Sequence, residues 1–187
     1  MAMHDQMPWF PAWGMEFNNQ IKDTNEILKV FNQYKNDNCW LILAFDVAAS
    51  EKHLWTAWYS MQRNKKMEKM IAKSIDAEFI RLIAGTHQVK IAFNNAGIRN
   101  GDKLAWIIRL PESEIGDELN EVFMNRESYN NFDNDANILI ERMNGKLLTQ
   151  RPVPSFEGLK RIGYAKEINS TKSLEECFIL HLVSSKI

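Results

Sequence analysis

The chain has 187 residues, enough for one sizeable core, and its 45% hydrophobic and 25% charged residues are those of an ordinary globular domain. A net charge of −1 excludes a global field that draws the chain to nucleic acid or membrane, so any such contact must come from a local patch. Cys39 and Cys177 stand far apart in apolar runs with no CxxC or His-rich spacing, which points to small buried hydrophobes of a reduced, intracellular protein, not to a metal or disulfide.

The first residues, M-A-M-H-D-Q-M-P-W-F-P, place an acid and two prolines where a signal peptide would have a basic region and an apolar core. The longest apolar runs are too short to span a bilayer, so the expectation is a cytoplasmic protein without membrane contact. Trp9, Phe10, Trp13, Met15 and Phe17, interrupted by Pro11 and Gly14, suit an edge strand or a pair of short ones, with the aromatics read as core cover in preference to a docking surface. Asp23 or Thr24 caps a helix to about residue 36, with Ile27, Leu28, Phe31 and Tyr34 on one face. C-W-L-I-L-A-F, residues 39–45, reads as a strand covered on both faces.

Ser50 opens a helical tract that reaches roughly Ser74, its apolar positions supplied by Leu54, Trp55, Trp58, Met61, Met67, Met70 and Ile71. E-F-I-R-L-I-A-G-T-H-Q-V-K-I-A-F-N-N-A-G, from Glu78 to Gly97, then reads as a strand over 78–84, a turn, and a helix over 86–96. Thr86 is placed as its N-cap and Gly97 as its stop. A strand from Lys103 to Leu110 ends at Pro111. An acidic helix follows from about Glu112 to Asn125, with Ile115, Leu119, Val122 and Phe123 as its buried stripe. The alternation of strands and helices implies an α/β layered domain with some parallel pairing.

Ser128 to Pro154 is Asn-rich, with one short helical candidate over Ala136 to Met143, and reads as a surface excursion of the same domain. Phe156 to Ala165 suits one short helix. Ser173 and Glu176 form a capping box, which makes residues 174–185 a helix, with a short terminal strand as the competing assignment. The expected fold is a single α/β domain over 1–187, with a mixed central sheet of about four to five strands flanked by helices, an apolar C-terminal helix, and 127–155 as a surface insertion.

Three features bear on function. Arg63, Lys65, Lys66, Lys69 and Lys73 stand against the single acid Glu68, so the run lacks interleaved acids at i,i+4 spacing. Most such runs are solvated faces; here the cluster leads into the segment ending at Gly85-Thr86-His87-Gln88, with Arg81 and Lys90 near the same end. A positive groove ending at a helix N-terminus suits a phosphate backbone. At the turn, Thr86 and His87 are poorly placed as nucleophile and base, because neighbours on a helix do not face each other. His87 could stack on a base and Gln88 could bond a base edge, or both could simply be solvated.

In the last helix Leu174, Cys177 and Phe178 form one apolar face and Ile179, Leu182 and Val183 a second. That leaves core burial and a protein–protein surface both open, the latter preferred. His53 and His181 lack Asp, Glu or Cys partners at ligand spacing and read as hydrogen-bonded bystanders. No Walker loop, GxGxxG, GxSxG or HExxH is present, which argues for a binding or regulatory protein without catalytic residues, metal or cofactor.

F-D-V-A-A-S-E-K-H-L, the basic helix containing I-A-K, and E-F-I-R-L-I-A-G-T-H-Q-V-K-I-A-F-N-N-A-G-I resemble archaeal members of the PRPK-binding, or Cgi-type, subunit family of the KEOPS complex. Those members typically show a Gly-Thr-Arg-Gln-Ile turn before an Ala-rich helix; here it is Gly85-Thr86-His87-Gln88-Val89, and the helix closes at Ala96-Gly97-Ile98. L-K-R-I-G-Y and S-L-E-E-C-F-I-L-H-L-V look like the family's closing segment. The resemblance covers residues 24–126 well and 156–187 moderately.

It implies a non-catalytic subunit of the complex that makes threonylcarbamoyladenosine in tRNA, one that binds the kinase-like ATPase and recruits tRNA by its 3′ CCA end. Carried over, the tRNA contacts are Lys65, Lys66, Lys69 and Lys73 with Gly85, Thr86, His87 and Gln88. The kinase contacts are Leu174, Phe178, Ile179, Leu182 and Val183. His87 stands where an arginine is common, and an imidazole lacks the fixed charge and bidentate reach of a guanidinium. The alternative is a module that regulates the kinase without touching RNA. A third reading, a small-molecule enzyme, requires a closed pocket at Thr86.

Overall fold

The computed structural model describes residues 7–115, 122–124, 131–166 and 173–184. In chain order the elements are β1 (Ala12–Phe17), α1 (Thr24–Tyr34), β2 (Trp40–Ala44), a 3-10 turn (Phe45–Val47), α2 (Glu51–Lys66), α3 (Ile75–Ile83) and α4 (Val89–Ala96). They continue with β3 (Leu104–Arg109), β4 (Ser113–Ile115), β5 (Val122–Met124), α5 (Asp133–Arg142), β6 (Gly145–Leu148), α6 (Phe156–Arg161) and α7 (Leu174–Ser184).

Four strands form the central sheet in the order β2-β3-β1-β6, and β4 pairs with β5 in a separate ribbon. The period-2 alternation of side chains divides the apolar residues between two cores. On one face Leu41 and Leu43 of β2 and Trp106 and Ile108 of β3 join residues from α2, α3, α4, α6 and α7. On the other, Trp40, Ile42, Ala105, Ile107 and the β1 residues Trp13, Met15 and Phe17 pack against α1 and α5. The result is a single α/β domain with helices on both sides of one sheet.

Every strand pair in the sheet is antiparallel, with Ile108 opposite both Ala12 and Leu41, so the expected parallel pairing does not occur. β1 is not an edge strand: it lies between β3 and β6, and it can do so because Pro11 precedes the ladder. The acidic helix expected over 112–125 is replaced, in its described part, by the antiparallel pair β4 and β5; Leu119 lies outside the described residues. The segment read as a surface excursion supplies α5, whose Ala136, Leu139 and Ile140 enter the second core, and β6, which pairs with β1. Arg151 anchors the loop after β6, donating to the Glu51 carboxylate at 2.7 Å and to the carbonyls of Phe10 and Ala12.

Two differences matter most for the site. The apolar run read as a strand over 78–84 is the helix α3, buried continuously from Ala77 to Ile83. A short run that is apolar on all sides does not reveal its own period, and burial by α2, α4 and α7 decides for helix. The long basic helix ends at Lys66, eight residues before Ser74. Glu68 turns left-handed (φ 54°), and the Lys69 amide bonds back to the Asn64 carbonyl at 2.8 Å, closing the helix.

Candidate nucleic-acid interface and partner-facing helix

α2 begins at Ser50, whose hydroxyl accepts from the His53 amide at 3.0 Å, and ends with Arg63, Lys65 and Lys66 in its last turn. Cations there complement the helix dipole. Beyond the break, the loop that leads into α3 is tied to that helix by one carboxylate. Glu78 Oε2 accepts from the amides of Ile71 (3.1 Å) and Ala72 (3.0 Å), and its Oε1 from the Asn64 side chain (2.8 Å). The Arg81 guanidinium closes the arrangement, donating to Glu78 at 2.6 and 3.0 Å and, through Nη1, to the Thr86 carbonyl at 2.9 Å.

Both side chains are buried, at 0% and 2% exposure. Burial by itself pushes the Glu78 carboxyl up; Arg81, the Ala72 amide and Asn64 outweigh it and hold the group below its ordinary 4.5. The lysine-bearing loop and the Gly85–Gln88 turn are therefore one carboxylate and one guanidinium apart. Each is hydrogen-bonded to the same ion pair.

The turn itself is the end of α3. Gly85 takes φ 60°, its amide bonds to the Leu82 carbonyl at 3.0 Å, and the Thr86 amide bonds to the Arg81 carbonyl at 3.3 Å. That pattern is a Schellman closure, for which a glycine in the left-handed region is the favoured residue. Thr86 is not the N-cap of the next helix. Its hydroxyl accepts from the Gln88 amide at 3.2 Å, and α4 starts at Val89 with Gln88 as a cap that makes no side-chain capping bond. Gly97 ends α4 as expected, and its amide bonds to the Phe93 carbonyl.

Of the residues expected to meet RNA, Lys65, Lys69, Lys73, His87, Gln88 and Lys90 are exposed, while Lys66, Gly85 and Thr86 are half-buried. Arg81 is withdrawn from solvent and committed to Glu78 and Thr86, so it is a support of the turn and not a contact surface. The expected partner face of α7 also divides. Phe178 and Leu182 are fully buried in the core, Leu174 and Ile179 are half-buried, and Val183 is exposed together with Leu180. The capping box is formed in both directions, Glu176 accepting from the Ser173 amide at 2.8 Å and Ser173 from the Glu176 amide at 3.2 Å.

Sequence reasoning missed Glu78 as the hub, although a Glu and an Arg three apart in an otherwise apolar run are the signature of an internal helical ion pair. A cavity of about 360 Å³ lies elsewhere, lined by Leu28, Phe31, Trp40, Asp76, Ile80 and Phe93 among others, and Thr86 does not border it. Among the described residues no helix is long and apolar enough to cross a membrane.

The family model for the kinase binding protein CGI-121 matches residues 18–141, more than half of the chain. The match takes in α1 to α4, with the ion pair and the turn, and continues through residues 127–141, which sequence reasoning set aside as an insertion; it stops short of α7. No curated protein matches the chain. On the extent of that match, the chain belongs to the CGI-121 family of kinase-binding proteins.

Proposed function

We propose that the protein is a non-catalytic regulatory subunit of the KEOPS complex in tRNA threonylcarbamoyladenosine synthesis. It binds the kinase-like ATPase through the exposed side of α7 and recruits tRNA by its 3′ CCA end at the turn and the basic loop. The observation that carries the RNA part is the Glu78–Arg81 pair, which holds the backbone of the loop between Lys69 and Lys73 beside the turn bearing His87 and Gln88. Exposed lysines next to exposed hydrogen-bonding groups suit a single-stranded end, with cations for phosphate and polar or ring side chains for bases.

The test is tRNA affinity measured across a salt series for the wild type and for Lys65→Glu/Lys69→Glu. Each phosphate contact adds roughly 0.7 to the slope of log affinity against log salt for a single strand. The double variant is expected to bind at least about tenfold more weakly with a visibly shallower slope. Equal affinity and equal slope would sink the RNA reading.

A kinase-regulating module that leaves RNA alone is the second reading. It is favoured by the withdrawal of Arg81 from solvent and by the imidazole at position 87. On that reading the double charge reversal leaves co-purification with the ATPase intact and the wild type shows no salt-dependent tRNA binding.

A further inference from the structure

The last helix and the G-T-H-Q turn meet at one side chain. His181 Nε2 lies 3.0 Å from the carbonyl of Ala84 and 3.1 Å from that of Ile162. Carbonyl oxygens only accept, so Nε2 carries the proton and donates to both. The two acceptors have the same structural position: Ala84 is the C-cap of α3 and Ile162 the C-cap of α6.

Each is followed by a left-handed glycine, Gly85 at φ 60° and Gly163 at φ 80°. Each end closes in the same way, with Gly85 bonded to Leu82 and Thr86 to Arg81, and Gly163 bonded to Lys160 and Tyr164 to Leu159. Cap carbonyls have no partner within their own helices. One imidazole supplies the donor to both. The ring also lies against Gly85 so closely that a methyl group there would overlap it, and Tyr164 meets it edge-on with centroids 5.7 Å apart. Burial keeps the ring neutral by lowering its pKa, more than the two carbonyls raise it.

We infer that His181 is a positioning residue that fixes the Gly85–Gln88 turn to the C-terminal helix, so that occupation of the turn and the seating of α7 are energetically coupled. α7 carries Leu180 and Val183 on its exposed side, within two residues of His181 in sequence. A partner that presses on or lifts this helix moves the donor on which the turn relies, and linkage makes the effect reciprocal. The ligand half of the inference rests on the RNA reading above; the positioning half does not.

Amide hydrogen exchange on the full chain separates the two, using His181→Ala and His181→Gln. Glutamine carries its amide NH₂ at about the reach of Nε2 and can donate to two carbonyls. In His181→Ala the amides of Gly85, Thr86, Gly163 and Tyr164 should exchange about tenfold faster, the loss of roughly one hydrogen bond. Those of β3 should be unchanged, and His181→Gln should restore the wild-type pattern.

Unchanged exchange at the turn, equal acceleration in β3, or no rescue by Gln overturns the positioning role. If His181→Ala does not fold, His181→Gln alone decides, since wild-type exchange at all four amides is required of it. A single-stranded RNA ending in CCA is the ligand probe. Weaker binding to His181→Ala, rescued by Gln, supports the coupling. Unchanged binding alongside a loosened turn overturns the RNA reading of the turn and leaves the positioning role standing.

Discussion

Glu78 and Arg81 stand one helical turn apart in α3 and between them satisfy two loop amides, one asparagine side chain and the carbonyl of the turn. A buried pair of this kind contributes little compared with an apolar replacement of both members, but removing one charge strands the other in a low-dielectric interior. Glu78→Gln is therefore expected to destabilise the fold by roughly 3 kcal/mol, read as a fall in the urea midpoint. A change within about 0.5 kcal/mol would mean that Arg81 finds water and that the pair does not organise the loop. Neither residue is exposed, so their importance follows from what they hold in place, and a contact-based search for RNA ligands passes over Glu78 altogether.

Among the elements, α3 and α7 are the ones whose character depends on their surroundings. α3 lacks any side-chain cap bond at Ser74, and its sequence E-F-I-R-L-I-A reads equally well with a strand period. Packing against α2, α4 and α7 and the i,i+3 spacing of the ion pair settle it as a helix. α7 was legible from its capping box, but which of its apolar residues face outward was not. Cys177, Phe178 and Leu182 are core, so deleting 174–187 removes part of the hydrophobic centre together with the proposed interface and cannot distinguish the two.

Leu180→Lys/Val183→Lys is the cleaner test. Both side chains are exposed, so the melting temperature is expected to shift little. Co-purification with the kinase-like ATPase is expected to fall at least about tenfold if these residues anchor the contact. Retained co-purification would place the kinase on another surface. Leu182→Lys, in contrast, buries a charge and is expected to unfold the chain.

At the scale of the whole molecule, the buried His53 and the half-buried His181 set the acid limit of stability. His53 is fully buried against Phe178, with Nδ1 accepting from the Ala49 amide, and desolvation pushes its pKa from 6.5 down to about 3. His181 is lowered as well, burial again the main cause. The unfolded chain takes up these protons below pH 6.5 while the fold refuses them. Stability is thus fully present above pH 6.5 and declines as pH falls towards the depressed folded values, by up to about 1.4 kcal/mol per pH unit for His53 and by less for the partly exposed His181. Glu78 adds a loss of the same sign only below its ordinary 4.5. Urea midpoints are therefore expected to drop steadily between pH 6.5 and 4.5, and a flat profile there would show that His53 is solvated. By itself the sequence determined the α/β class, β2, β3, α1, the start of α2 and the capped last helix, because those signals are local: cap residues, an unbroken apolar strand and terminating prolines or glycines lie within a few residues of one another. It also singled out the Gly85-Thr86-His87-Gln88 turn and the neighbouring lysines. What only the tertiary structure decided is the antiparallel sheet, the helical state of α3, the recruitment of α5 into the core and of β6 into the sheet, and the two links that act on that turn. One link joins Glu78 to Asn64, Ile71 and Ala72 through a buried carboxylate, and the other joins His181 to Ala84 across 97 residues of chain. Neither hydrogen-bond set follows a local pattern, because its partners meet only after the core has closed.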